Sequence, residues 1–291
     1  MAKASIPVYD ICTIDGTSQR DLLIERLSPY LEKHYHDLHR PHRHSFFHLV
    51  LFTKGKGSHT IDFTRFPVKP FQIYFMVPGQ VHSWHFEGRP EGYIVHFHEA
   101  LFTSFLQNHQ YLEQLPFFSG VSEDGVIQLQ ADIQEAVEQI FEKLLTELEA
   151  SRPGSLDLIR IKLIELFLTV ERSWGFQKKH TVPRQKMVLI RQFQKLIEKH
   201  FRTIRLPKEY AELLYITPNH LNALCQDLMG KTAGDLIRDR ILLEAKRLLT
   251  NADMSIASIA YELNFQDNSY FNRFFKKYEN MTPDEFRKSI L

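Results

Sequence analysis

Residues 211–232 read AELLYITPNHLNALCQDLMGKT, and residues 260–283 read AYELNFQDNSYFNRFFKKYENMTP. The second stretch repeats the grammar of the first. Ala211 aligns with Ala260 at an offset of 49 and His220 with Tyr270 at an offset of 50, so one extra residue belongs to the second turn. Each copy predicts a short helix, a tight turn and a longer helix. A small Ala on the first helix permits close contact. Leu221, Leu224 and Leu228 in one copy, and Phe271, Phe274, Phe275 and Tyr278 in the other, supply the apolar side that holds the second helix down. This is the pattern of a helix-turn-helix, and its duplication in one chain points to the DNA major groove.

Working outward, the spacing predicts helices over about 188–201, 207–214, 218–229, 233–250, 255–263, 268–278 and 283–290. Thr217 and Pro218 suit the N-cap and first position of a helix. Residues 268–287, NSYFNRFFKKYENMTPDEFR, closely resemble the C-terminal signature of the AraC/XylS family of bacterial transcription regulators. Residues 240–249, RILLEAKRLL, resemble that family's linker helix. The resemblance covers about 188–291. It implies two helix-turn-helix units (about 207–229 and 255–278) bridged by a rigid helix at 233–250, with both recognition helices on one side of the DNA. It also implies RNA polymerase as a partner, and activation as the sign of regulation. Where the family usually has Gly, this chain has Asn264 and Asn280, the next-best residue for a left-handed backbone. Tyr215 at the first turn suggests an irregular bend there.

A helix over 233–250 is about 27 Å long at 1.5 Å per residue. With the helices it joins, it can set two recognition helices about one DNA turn, roughly 34 Å, apart, so one chain should prefer an asymmetric site. Residues 217–229 contain no Lys or Arg and one acid, Asp227, whereas 267–279 contain Arg273, Lys276 and Lys277. Because phosphate neutralisation dominates affinity and its salt dependence, the second unit is expected to anchor and the first to read bases. The expected DNA contacts are Thr217, Pro218, Asn219, His220, Asn222, Ala223 and Gln226 in the first unit. In the second they are Asn268, Ser269, Tyr270, Asn272, Arg273, Lys276 and Lys277.

The preceding half is different. Residues 184–291 hold 18 Lys and Arg against 13 Asp and Glu, a net +5, while the remainder holds 18 against 22, a net −4. Only the C-terminal part is therefore expected to meet a polyanion. Thirteen of the 15 histidines lie at or before His180. From about 41 to 100, runs such as FFHLVLF and FQIYFMVP are separated by KGKG, FPVKP and VPGQ, which predicts an antiparallel barrel or jelly roll. Two amphipathic stripes follow: Ile133, Val137, Ile140, Leu144 and Leu148, then, after Pro153-Gly154, Ile159, Leu163, Leu166, Val170 and Trp174. This helix pair is expected to pack on the barrel, on itself and on a second subunit, giving a homodimer. The predicted organisation is α+β: a sensing and dimerisation domain over 1–175, a polar linker over 176–187, and an all-α DNA-binding domain over 188–291.

Residues 41–48, PHRHSFFH, place His42, His44 and His48 at even spacing, and PGQVH ends in His82. These segments look like the two motifs of the cupin superfamily, with His48 in place of the usual Glu, Gly55 as the trailing Gly and a shortened Pro-Gly spacing. An effector pocket is expected among His42, His44, Phe46, His48, Phe75, His82 and Trp84. By resemblance to AraC-type sensor domains, which commonly keep such histidines without a metal, no metal or other cofactor is expected. His42, His44, His48 and His82 are the alternative ligand set. His96 and His98 are read as core histidines.

No P-loop, G-x-S-x-G, H-E-x-x-H or C-x-x-C occurs, which argues against an enzyme. The two cysteines, Cys12 and Cys225, lie in different regions, and no run of 18 apolar residues or secretory h-region is present. A cytoplasmic protein without membrane association is expected. The reading is a DNA-binding regulator of transcription with a small-molecule sensor. The alternatives are a metal-dependent cupin enzyme with a DNA-binding tail, and a constitutive DNA-binding protein whose barrel is a dimerisation scaffold.

Overall fold

The computed structural model describes residues 6–15, 21–106, 108, 111–177 and 184–290. The chain divides into two compact units, one within 7–180 and one within 181–291.

The first unit contains strands β1 (Val8–Tyr9), β2 (Leu22–Arg26), β3 (His42–His44), β4 (Phe47–Ile61), β5 (Thr64–Pro67), β6 (Gln72–Met76), β7 (Val81–Phe97) and β8 (Val126–Gln128). Its helices are α1 (Ile11–Asp15), α2 (Leu27–Leu38), α3 (Ala100–Thr103), α4 (Ala131–Ala150) and α5 (Ser155–Gln177). The strands pair in the order β1-β3-β7-β4-β6-β8, with β2 also on β7 and β5 also on β4. The β1–β3 pair is parallel and the other pairs are antiparallel. The sheet is therefore mixed, and its ladder does not close among the described residues. It is the expected jelly-roll-like barrel, open and made mixed by the parallel β1–β3 pair.

The long strands β4 and β7 are the spine. They pair from Phe47–Phe97 to Ile61–His82, with register shifts between Phe52 and Lys56. Gly92, at φ 147°, lets the strands approach there: a Cβ at that position would lie 1.8 Å from the Leu51 carbonyl oxygen. Alternation along the strands sends Leu49, Leu51, Ile73, Phe75, Tyr93, Val95 and Phe97 to one face and Phe46, Val50, Phe52, Tyr74, Met76, Trp84 and Ile94 to the other. The first face packs on α4 and α5 through Val137, Ile140, Phe141, Leu144, Leu163, Leu166, Phe167 and Val170. The second encloses the barrel interior together with Tyr30 and Leu31 of α2.

Both expected stripes are thus covered by the chain's own sheet. The side chain of Trp174 lies outside the described residues. On the other side α5 exposes Leu156, Leu158, Ile161 and Leu168. Ile161 and Leu168, with Ile133, Ile164 and Arg172, line a surface hollow of about 600 Å³ against α4. No described helix is long and apolar enough to cross a membrane.

The second unit consists of α6 (Arg184–His200), α7 (Pro207–Leu213), α8 (Pro218–Met229), α9 (Ala233–Leu249), α10 (Ile256–Glu262), α11 (Asn268–Glu279) and α12 (Pro283–Ile290). The expected linker at 176–187 overlaps the end of α5 and the start of α6, and its residues 178–183 lie outside the described residues. Phe193, Tyr210, Ala211, Leu221, Leu224, Ile241, Ala245, Ala260, Phe271 and Phe275 belong to one core, so both helix-turn-helix units share a single packed interior.

Candidate functional site

The two helix-turn-helix units are built the same way at atomic detail. At the first turn Tyr215 has φ 56° and Ile216 N–H donates to the Ala211 carbonyl; at the second Asn264 has φ 56° and Phe265 N–H donates to the Ala260 carbonyl. This is a Schellman-type exit from the first helix in both copies. The first turn is therefore regular, contrary to expectation, and Tyr215 carries the steric cost of a left-handed backbone while 96% exposed. The extra residue lies before α11: residues 214–217 separate α7 from α8, and 263–267 separate α10 from α11. Thr217 and Asp267 cap the recognition helices, accepting from the N–H groups of His220 and Tyr270. Gly230 and Asn280 end them at φ 66° and 58°. Thr232 with Asp235, and Thr282 with Glu285, then start the next helices with matching reciprocal bonds.

The outer faces of α8 and α11 are free of the core. Pro218, Asn219, His220, Ala223, Gln226, Asn268, Ser269, Tyr270, Arg273, Lys276 and Lys277 are all exposed. Asn222 is also exposed, but its Oδ1 accepts from the Ala233 N–H at 3.1 Å, tying α8 to the start of α9. Asn272 is half-buried and its Nδ2 donates within α11 to Asn268. These two amides, named from sequence as DNA contacts, therefore have structural bonds. Behind the face, Glu244 of α9 receives Arg240 and Arg202. Arg202 also reaches Glu262 of α10, and Arg240 reaches Glu198 of α6. Burial alone would raise the Glu244 carboxyl. The guanidinium groups of Arg240, Arg247 and Arg202 outweigh it and hold the carboxyl below its ordinary range.

In the first unit the strand registers bring six histidines into the barrel interior. His42 faces His82 across β3–β7, and His48 faces His96 across β4–β7. His44 and His59 complete the group, and all six are at most 3% exposed. His48 Nδ1 and His96 Nε2 are 2.9 Å apart; His59 Nε2 and His82 Nδ1 are 3.0 Å apart. The His42 Nδ1–H donates to the Arg40 carbonyl at 2.7 Å, which leaves its Nε2 with the lone pair. Burial pushes His42 down to about 4 and His48 to about 3, and holds His44, His59, His82 and His96 well below the usual imidazole range. Burial disfavours the imidazolium form throughout the cluster.

Against known families, residues 28–166 match the AraC-like ligand binding domain and residues 210–289 match a helix-turn-helix domain. The chain belongs to the AraC family. Among curated relatives, this AraC-family chain is 43% identical over 70 residues to the probable transcription factor PqrA of Proteus vulgaris, a match spanning 24% of this chain and 57% of that protein. It is 20% identical over 254 residues to the HTH-type transcriptional activator RhaR of Yersinia pestis, covering 86% and 85% of the two chains. Among solved structures it is similar to fatty-acid-bound ToxT from Vibrio cholerae, with TM-score 0.44 and 13% identity over 91% of this chain and 94% of that one. It is also similar to the C-terminal domain of AraT from Geobacillus stearothermophilus, with TM-score 0.33 and 24% identity over 35% and 84%. At these scores the structural likenesses add nothing to the assignment.

Within the AraC-family barrel, His42, His44, Phe46, His48, His82 and Trp84 share the interior. Phe75 does not. It lies on the helix-covered face, stacked on Phe117 at 4.0 Å, because it is out of phase with Tyr74 and Met76 on β6. His96, read as an ordinary core residue, and His59, unremarked in the sequence, both belong to the cluster. His98 points elsewhere and contacts Asp10. A simple parity count misses His59. It lies 11 residues from His48, which in a regular strand places the two on opposite faces, and the irregularity between Phe52 and Lys56 restores it to the interior.

Proposed function

We propose that this chain is a sequence-specific transcription regulator whose second unit binds promoter DNA and whose barrel senses a ligand. The observation that supports it most is the pair of recognition helices, alike in caps and turns, on one shared core with outward faces free of that core. In this reading residues 1–175 sense and dimerise, 176–187 link, and 188–291 bind DNA. α11 supplies cations to phosphates through Arg273, Lys276 and Lys277, and α8 reads base edges through Asn219, His220 and Gln226. Asn222 and Asn272 keep supporting places because their amides hold backbone.

Dimerisation through the apolar strip of α5 (Leu158, Ile161, Leu168), activation through RNA polymerase and a cytoplasmic setting complete the proposal, with the barrel a sensor and not an enzyme. The apolar strip is the physical support for the dimer, because helices of soluble monomers seldom present such side chains in a row. Selection of bound duplexes from a random pool by the full-length protein tests the central claim. An enriched, non-palindromic site for each chain, bound with a steep salt dependence, is expected. Failure to enrich any duplex at low ionic strength would overturn it.

A further inference from the structure

We infer that His42, His44 and His82, with His48 beside them, bind one divalent first-row transition-metal ion inside the barrel, and that His59 and His96 are positioning residues for two of these ligands. The inference rests on the barrel interior being the ligand-sensing site and names the class of ligand it takes.

Ligand-capable nitrogens of His42, His44 and His82 all lie within 4.8 Å of one another. Two nitrogens on one ion stand at most about 4.2 Å apart, twice a metal–nitrogen bond of about 2.1 Å, so small ring rotations bring the three into coordination. His48 adjoins them, its ring centroid 4.9 Å from His44 and 5.2 Å from His82.

The hydrogen bonding is that of a two-layer site. His42, His48 and His82 each engage Nδ1, with the Arg40 carbonyl, His96 and His59 respectively, and each leaves a buried Nε2 without a partner. His44 leaves both nitrogens without one. The Arg40 carbonyl fixes the His42 tautomer with its Nε2 lone pair free, and where His96 and His59 accept from Nδ1 the Nε2 of His48 and of His82 is left free in the same way, as in metal-binding imidazoles.

Packing alone gives no account of this. A buried polar atom without a partner destabilises the fold, and the same volume filled by Leu or Phe would avoid that. One ion held by His42, His44 and His82 satisfies three such nitrogens together. A nitrogen-only set selects zinc-like ions (Co²⁺, Ni²⁺, Cu²⁺ or Zn²⁺) over Mg²⁺ and Ca²⁺, which require oxygen ligands.

The test uses full-length protein purified without an affinity tag and stripped with chelator, titrated with Co²⁺ at pH 7.5. A visible d–d band saturating at one equivalent, removed by one equivalent of Zn²⁺ and untouched by millimolar Mg²⁺, is expected. His44→Phe and His82→Phe should weaken binding at least 100-fold. His85→Ala, on the outer face of β7, should leave it unchanged. His59→Phe should weaken binding about 10–100-fold at unchanged stoichiometry. His59→Gln, which restores an acceptor for the His82 Nδ1–H, should recover most of the affinity, whereas a space-filling role would favour Phe. The wild-type titration decides the matter even if a variant fails to fold. No saturable band in the wild type, or an undiminished band in folded His44→Phe, overturns the inference. Duplex binding is measured separately on the same stripped protein, so loss of the metal reading with DNA binding intact leaves the regulator proposal standing.

Discussion

Replacing Glu244 with Ala should loosen the unit that carries both recognition helices. The Glu244 side chain is 15% exposed and sits among Arg240, Arg247 and Arg202, whose side chains are 14%, 8% and 43% exposed. Removing one partner of a fully buried ion pair costs about 3–5 kcal/mol. Two features reduce that figure here. Arg240 keeps both oxygens of Glu198 at 2.8 Å, and Arg202 is well solvated and keeps Glu262. A loss of about 2–3 kcal/mol follows, or roughly 10 °C in the melting temperature of a unit of this size. Scanning calorimetry of the full chain measures it, with hydrogen exchange on peptides from 184–290 assigning the transition. The pH dependence has a definite sign. The folded carboxyl titrates below its unfolded value, so its contribution is complete above about pH 4.5 and is lost as pH falls through the folded pKa. The gap between wild type and Glu244→Ala should therefore close on acidification toward pH 3. A shift under about 2 °C at pH 7, or a gap that widens in acid, would refute the reasoning.

Arg273→Ala with Lys276→Ala should weaken binding to every duplex and flatten the slope of log K against log salt by up to about 1.8, two phosphate contacts at 0.9 each. Gln226→Ala should change the selected sequence and leave that slope in place; equal effects would remove the proposed division between the two helices. Tyr215→Asn should stabilise the second unit by about 0.5–1 kcal/mol and raise its melting temperature by a few degrees, because Asn tolerates the left-handed turn that Tyr is forced into. Gly92→Ala should unfold or severely destabilise the first unit, since its methyl group would collide with the Leu51 carbonyl; a normal melting curve would show that the strands can separate there.

The helical unit was largely legible because its signals are local. Helix starts at Thr217, Thr232 and Asp267 and stops at Gly230 and Asn280 are written in single residues, and the predicted boundaries of α7 to α12 fall within about two residues of those observed. The barrel was legible as a class but not in its details. Whether Phe75 and His59 point inward depends on the phase of each strand relative to its neighbours, and the register shifts between Phe52 and Lys56 reverse that phase along β4 before His59. The parallel β1–β3 pair joins residues 35 apart, beyond the reach of any local sequence pattern. Asn222 looked like a base reader because its spacing on α8 suits one. Its bond to the Ala233 N–H crosses a turn that one-dimensional periodicity does not describe.

The single residue by which the turn before α11 exceeds the turn before α8 also bears on genetic architecture. A palindromic operator reads alike from either end, so its orientation upstream of a gene is immaterial. Two wedges of unequal entry and opposite cationic character give the bound molecule a head and a tail. Inverting such an element in place, with its distance to the start site held constant, would dock the protein facing away from the gene.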